Sequence, residues 1–403
     1  LTRACRDACS FATRMKLLVL LSRFPYPLDK GDKLRAYHQL RYLAERHEIC
    51  LFALTDEEVS AAAQAAVRPL CRGGLVVHRL RRPGIARNMA RALARGWPLQ
   101  VGYFYDAQAQ RQVNGLLREF RPDHVYCQLI RMAEYLRPHS GRLPMTLDYM
   151  DVFSAGMRRR SAQAPLWQRP VLALEAQRLL RYEAAAFDWF GHHTIISDQD
   201  RQLIHHPDRN EIHVVLNGID TDFFQPQPDA AKAYDLLFCG NMSYHPNVDA
   251  ACFLAEEILP LVRRRYPAAR LLVAGTTPAP RVQALASAQV EVSGWVPDIR
   301  AAYAAARVFV APMRVGTGLQ NKLLEALAMA LPCVTTPLAN NALGGTDGQE
   351  LRVALGALAL ADAIVGLLDD AAQAAVMADR GHAFVKRHYT WAGATAGLEA
   401  LLG

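Results

Sequence analysis

"VGTGLQNKLLEALAMALPCVTT", Val315 to Thr336, sets a glycine-rich turn, one lysine and one glutamate between two apolar runs. The preceding "RVFVAP" reads as a strand and the closing "CVTT" as another. Between them "LQNKLLEALAMA" has helical periodicity, with Leu319, Leu323, Leu324, Leu327 and Leu331 on one face and Gly318, Asn321, Lys322 and Glu325 on the other. Strand, glycine turn, helix and strand form the repeating unit of a doubly wound parallel sheet. The polar cluster then falls at the N-terminal turn of the helix, where backbone N–H groups and the helix dipole both favour an anion. The same residues describe equally well a tight turn followed by an exposed lysine–glutamate pair.

Outward from this stretch the same alternation runs through the chain. Strands are expected in the first half at Lys16 to Ser22, Glu48 to Leu54, Leu75 to Leu80, His124 to Cys127, Met145 to Asp148, Thr194 to Ser197 and Ile212 to Leu216. In the second half they are expected at Asp235 to Cys239, Arg270 to Ala274, Val290 to Val292, Val308 to Ala311 and Cys333 to Thr336. Helical periods such as "KLRAYHQLRYLAERH" fill the gaps. The proline-rich segment "FFQPQPDAAKAYD", Phe223 to Asp235, separates the two series and reads as the linker. The expectation is an α/β protein of two Rossmann-like domains, 15–228 and 229–387, facing a cleft. A C-terminal helix, 388–403, is expected to pack back on the first domain.

A chain of 403 residues, 51% hydrophobic, can bury more than one core. Its net charge of +8 and pI near 9.1 favour anionic partners without choosing among them. The eight cysteines form no CxxC pair and several sit inside apolar runs, so they read as buried thiols of a cytoplasmic protein. "LLVLL" at Leu17 to Leu21 is too short to span a membrane and precedes no small-residue cleavage site. Residues 1–14 lack a clear period, precede Met15, and are expected to be a disordered extension or an artefact of start-site choice.

Three segments, "VVLNGIDTDFFQP" (Val214 to Pro226), "GWVPDIRAAYAAARVFVAPM" (Gly294 to Met313) and the opening stretch, resemble in order and spacing the signature segments of family 4 retaining glycosyltransferases, which have the GT-B fold. "LSRFPYPLDKGDKLRAYHQLRYLAERHEI" (Leu21 to Ile49) and "LDYMDVFS" (Leu147 to Ser154) are most similar to sugar transferases associated with bacterial exopolysaccharide and exosortase (PEP-CTERM) loci. The resemblance runs from about Met15 to Trp391. It implies transfer of a sugar from a nucleotide-diphosphate sugar to a glycan or lipid-linked acceptor hydroxyl, with no cofactor, no metal and no nucleic acid. It also implies that Glu325 holds the ribose hydroxyls, that the backbone at Thr317, Gly318, Leu319 and Gln320 approaches the diphosphate and sugar, and that the base lies near Trp295 and Val296. A tryptophan at position 295 reads equally as core.

The chain departs from the family pattern in two places. The resemblance calls for a second glutamate eight positions before Glu325, where this sequence has Thr317. A basic pair after the first strand of the second domain is also missing: "CGNMSYHPNVDA" offers Gly240, Asn241 and Asn247 instead. A diphosphate still needs compensating charge, which assigns the clamp to Arg314 and Lys322. In the first domain, Gly31 ahead of a helix could face the phosphates from the opposite wall. Asp32 there reads as a helix N-cap and Lys33 or Arg35 as a solvated face. Asp151 lies just past a strand end, where the resemblance implies a polar group near the reacting sugar; by position alone it reads as another N-cap.

Asp198-Gln-Asp200 and Asp220-Thr-Asp222 match a DxD metal motif without its flanking context, and the histidine pairs His192/His193 and His205/His206 read as ordinary surface or core residues. The basic run Arg81 to Trp97 carries no nucleic-acid recognition motif but could rest on an anionic membrane surface, at the inner face of the cytoplasmic membrane. The resulting expectation is a metal-independent glycosyltransferase of exopolysaccharide or cell-surface glycan synthesis. The alternatives are a GT-B sugar-nucleotide epimerase, for which no converging set of acid/base residues is found, and a non-catalytic sugar-nucleotide-binding scaffold.

Overall fold

The computed structural model describes residues 14–315 and 319–402. The chain divides into two compact units, 1–216 with 394–403 and 217–393. The first is built on seven parallel strands: β1 (Lys16–Leu21), β2 (Glu48–Thr55), β3 (Gly74–Arg79), β4 (His124–Gln128), β5 (Met145–Asp148), β6 (His192–Ile195) and β7 (His213–Val214). Their order in the sheet is β3-β2-β1-β4-β5-β6-β7. Successive residues of β1 alternate between two cores, Leu18 and Leu20 into one and Leu17, Val19 and Leu21 into the other. That two-sided burial is why the strand reads as one continuous apolar run. Leu398 and Leu402, from the end of the chain, complete the second of these cores, and Glu399 accepts from Arg46 at 2.8 Å.

The second unit has six parallel strands: β8 (Tyr234–Cys239), β9 (Leu271–Ala274), β10 (Val290–Gly294), β11 (Ala306–Ala311), β12 (Cys333–Thr335) and β13 (Arg352–Val353). They run in the order β10-β9-β8-β11-β12-β13. In both sheets the chain reverses direction of winding between its first and fourth strands, and the loops at the strand C-termini there are where open α/β sheets bind ligands. The "NGID" segment lies at the start of this unit. Ile219 N donates to Tyr389 O at 2.7 Å, and a Cβ at Gly218 would come within 2.5 Å of Trp391 N. Glycine stands at position 218 because another stretch of backbone lies against it.

All twelve strands expected from the sequence are present, with ends shifted by one or two residues in most. β13 was not expected: two half-buried residues at a sheet edge carry no period to read. The six described cysteines are free and buried. No helix among the described residues is long and apolar enough to cross a membrane. Of residues 1–14, expected to be a disordered extension or an artefact of start-site choice, 1–13 lie outside the described residues.

Candidate functional site

In the second unit the helix Asn321–Ala328 follows β11 and buries Leu323, Leu324 and Leu327. Burying each such side chain contributes about 1.5 to 3 kcal/mol, which fixes the helix against the sheet and turns its polar face outward. Gln320 is the N-cap residue, and no side chain caps it. Thr317 and Gly318 lie outside the described residues; Leu319 and Gln320 are half-buried.

Glu325 is half-buried on this helix, and its Oε2 accepts from the Tyr303 hydroxyl at 2.7 Å. Its Oε1 accepts no hydrogen bond from the described residues and is the open face of the carboxylate. Burial pushes the Glu325 carboxyl up to about 7, against the opposing effects of the Tyr303 hydrogen bond and the Lys322 charge. Tyr303, fully buried, sits on the short helix Ile299–Ala304, and its hydroxyl lies 2.9 Å from the Cys239 thiol at the end of β8.

One helical turn before Glu325, Lys322 Nζ donates to Asn247 Oδ1 and Gln320 Oε1, both at 2.9 Å, and lies 5.5 Å from the centre of the Phe238 ring. Desolvation pulls its pKa down, with Cys239 and Glu325 opposing. These direct partners are neutral, so the ammonium is hydrogen-bonded but has no ion-pair partner among the described residues, a state that favours an arriving anion. Asn247 also holds the turn before it, donating from Nδ2 to Asn241 O at 2.9 Å. The Asn241 side chain is spent on that turn, accepting from Ser243 N and Oγ.

Two glycines shape the same loops. Gly240 has φ +154°, and a Cβ on it would lie 2.7 Å from Asn247 Nδ2; a Cβ on Gly275 would overlap the Gly240 carbonyl. The loops after β8 and β9 therefore approach at backbone distance. Trp295, at the end of β10, is 67% exposed and Val296 half-buried. Trp295 is thus not a core residue, and its ring is accessible for stacking.

Arg314 is differently engaged. Its Nε and Nη2 form a fork on Asp249 at 3.1 and 2.8 Å, Nη1 lies 3.3 Å from Glu257, and the guanidinium stacks 4.0 Å from the centre of the Phe253 ring. A bidentate carboxylate pair already satisfies this charge. Of the two cations expected to clamp a diphosphate, Lys322 has no ion-pair partner among the described residues and Arg314 is engaged by Asp249 and Glu257.

In the first unit Asp151 is exposed at the end of β5, after a Met150 held at φ +58°. It is not an N-cap: Val152 occupies that position with no side-chain cap, and the buried Glu183 accepts from Ser154 N at 3.0 Å instead. Burial pushes the Glu183 carboxyl up to about 7. Gly31 opens the helix Gly31–Arg46 with nothing near its Cβ position. Asp32 is not the N-cap either; that is Lys30, while Asp32 pairs with Arg23 at 2.7 Å. The reading of Arg35 as a solvated side chain is corrected outright. Arg35 is fully buried and pairs with Asp148 at 2.7 Å, because its helix position faces the sheet.

Both DxD matches serve local turns: Asp200 accepts from Ser197 Oγ at 2.6 Å, and Asp220 Oδ1 from the N–H groups of Asp222 and Phe223. His193 and His206 sandwich the Phe187 ring, each at 3.9 Å. Tyr303 and Glu183 were not singled out from sequence. The signal for Tyr303 was its place as the one aromatic side chain in the alanine-rich "RAAYAAARV". Glu183 lies inside a long helix without local signal.

Residues 233–370 match the family model described as Glycosyl transferases group 1. The matched residues lie within the second unit. Over the whole chain, sucrose-phosphate synthase from Thermosynechococcus elongatus is similar in structure with TM-score 0.67 at 16% identity, covering 96% of this chain and 98% of that one. Anabaena HepE in complex with UDP gives 0.65 at 13%, covering 95% and 98%. WaaG, a glycosyltransferase involved in lipopolysaccharide biosynthesis, gives 0.63 at 15%, covering 96% and 100%. At such identities the likeness is one of fold, and the fold is GT-B. In sequence, an uncharacterized 44.6 kDa protein in the cps region of Klebsiella pneumoniae is 22% identical over 396 residues, 93% of this chain and 96% of that protein.

Proposed function

We propose that this glycosyltransferase takes a sugar from a nucleoside diphosphate and transfers it, with retention and without a metal, to a glycan or lipid-linked hydroxyl in polysaccharide assembly, as a family 4 enzyme. The observation that carries this reading is the Glu325 carboxylate, one oxygen held by Tyr303 and the other open, one turn from Lys322 at the head of a helix in the group 1 domain. A carboxylate so placed can accept from two vicinal ribose hydroxyls. The diphosphate then meets Lys322 and the helix N-terminus, which stabilise negative charge as the sugar departs. Trp295 and Val296 flank the base. Lys322 and the helix amides supply the counter-charge that a metal would otherwise supply. The UDP and UDP-glucose complexes of HepE make uridine nucleotides the first donors to try, and the cps-region relative supports a polysaccharide product. Turnover separates this reading from a sugar-nucleotide-binding scaffold: purified protein should release nucleoside diphosphate from its donor, and a scaffold should not.

The clamp is tested by charge removal. In Lys322→Gln the affinity for UDP should fall roughly tenfold or more while that for uridine holds, since one charge-assisted contact is worth about 1.5 to 3 kcal/mol. Arg314→Gln should do the same only if the ligand displaces Asp249. Equal losses for UDP and uridine in Lys322→Gln would place the clamp elsewhere.

Asp151, exposed and without a capping role, is assigned to the sugar or acceptor. Asp151→Asn should lower kcat with nucleotide affinity near the parent value. Unchanged kcat would remove Asp151 from the site.

Peripheral attachment at the cytoplasmic face of an anionic membrane is carried only by exposed arginines. In the segment Arg81 to Trp97, Ile85 and Trp97 pack toward the core, and of its large apolar side chains only Leu93 is largely exposed, at 52%. Docking would be electrostatic, at about 1 kcal/mol per cation near the lipid. Co-sedimentation with phosphatidylglycerol vesicles that fades with salt is the expected result; equal binding to neutral vesicles, or none, would exclude it.

A further inference from the structure

An open cavity of about 1260 Å³ lies within the first unit, at the C-terminal ends of β2 and β3. Arg79, Arg81, Arg82 and Arg87 line it, against two carboxylates, Asp56 and Asp106. Both carboxylates have partners of their own and keep their charge, and Asp106 Oδ1 also lies 3.5 Å from Nε2 of His78, another lining residue. Asp56 accepts from the Tyr103 hydroxyl at 2.7 Å, and Asp106 caps the helix Ala107–Phe120, accepting from Gln108 N and Ala109 N at 2.8 and 3.1 Å. No ion pair or hydrogen bond holds the four guanidinium groups among the described residues, so the cavity carries a surplus of positive charge.

The same wall is the N-terminus of a second element. The helix Arg82–Ala94 begins here, and Arg82, Pro83 and Gly84 of its first turn line the cavity. No side chain caps this helix and its own first turn holds no acidic residue, while Asp106 Oδ2 lies 3.9 Å from the Cβ position of Gly84. Arginines at a helix N-terminus oppose the helix dipole and repel one another, an arrangement that costs stability unless an anion joins them. Four guanidinium groups against the carboxylates of Asp56 and Asp106 leave an excess of positive charge beside a helix N-terminus, which a phosphate or diphosphate balances and a lone carboxylate does not.

We propose that this cavity binds a phosphate- or diphosphate-bearing group, separate from the donor diphosphate, and that this group belongs to the acceptor. The assignment to the acceptor rests on the transferase reading; the anion site does not. The group's source is either a lipid-linked diphosphate or a free phosphorylated compound, and both present the same oxygens to the arginines.

The test uses the full chain saturated with UDP, so that the donor site is filled, and titrates inorganic pyrophosphate by calorimetry. The expected result is binding of pyrophosphate that weakens with salt and falls at least tenfold in Arg82→Gln/Arg87→Gln, while UDP affinity and the unfolding midpoint hold. Absence of pyrophosphate binding, or equal binding by the double variant, would overturn the site. So would sedimentation with phosphatidylglycerol vesicles that needs the arginines while pyrophosphate fails to bind. Neutral vesicles bearing a polyprenyl diphosphate distinguish the sources: sedimentation reversed by pyrophosphate supports a lipid-linked group, and pyrophosphate binding without vesicle capture supports a free one. If UDP fails to bind, the transferase reading falls, and the pyrophosphate arm still decides the cavity.

Discussion

Replacing Arg35 with methionine is expected to cost the first unit about 3 to 5 kcal/mol, because it leaves a carboxylate buried without its counter-charge. Asp148 and Arg35 are both fully excluded from solvent, 2.7 Å apart, and separated by 113 residues of sequence. The Tyr126 hydroxyl, 2.7 Å from Asp148 Oδ2, and the Met150 N–H, 3.2 Å from Oδ1, would remain as neutral donors to the orphaned charge. Arg35 also donates from Nη1 to Val215 O at 2.9 Å and Leu216 O at 3.3 Å, and those carbonyls would lose a donor as well. The pair therefore joins the first helix, β5 and the stretch after β7, and β5 ends at the loop that presents Asp151. Urea unfolding of Arg35→Met and of Arg35→Met/Asp148→Leu is the measurement. The double variant should recover part of the loss, since no buried charge is left alone. A loss below about 1 kcal/mol in the single variant would contradict this account of the pair.

The second large effect concerns Glu325. In Glu325→Ala, donor use should fall roughly ten- to two-hundredfold with the fold intact, the equivalent of about 1.5 to 3 kcal/mol for a charge-assisted hydrogen bond. Its pH dependence carries a further sign. With the carboxyl pushed up to about 7 by burial, the free protein is mostly protonated at pH 6 and mostly ionised at pH 8. Ribose hydroxyls donate to the ionised form, so uridine affinity should be full above about 7 and fall as pH drops through it, by up to about tenfold per unit. Uridine is the ligand to use because it has no phosphate to titrate over this range. Glu325→Gln should flatten the profile; a profile that rises toward low pH would exclude the carboxylate as the acceptor of those hydroxyls.

The two-sheet architecture was legible because parallel strands buried on both faces read as short continuous apolar runs, and β1 and β8 show this plainly. β13 was invisible, being two residues long. The helix carrying Lys322 and Glu325 was legible from periodicity together with the glycine turn, but the state of its charges was not. That Lys322 meets Asn247 while Arg314 meets Asp249 depends on the helix His245–Phe253, brought close only by the sheet order. Arg35 misled for the same reason: a lone arginine in a mixed helix looks solvated until a carboxylate 113 residues away is packed against it. Tyr303, which orients Glu325, belongs to a helix too short to show a face.

The most direct test of the central claim, that the turn at Lys322 and Glu325 holds a nucleoside diphosphate, is calorimetric titration of UDP into the parent chain and into Glu325→Ala and Lys322→Gln. The account predicts that the parent binds, that Glu325→Ala loses affinity for UDP and uridine alike, and that Lys322→Gln loses it for UDP alone. Affinities in both variants equal to the parent's would contradict it.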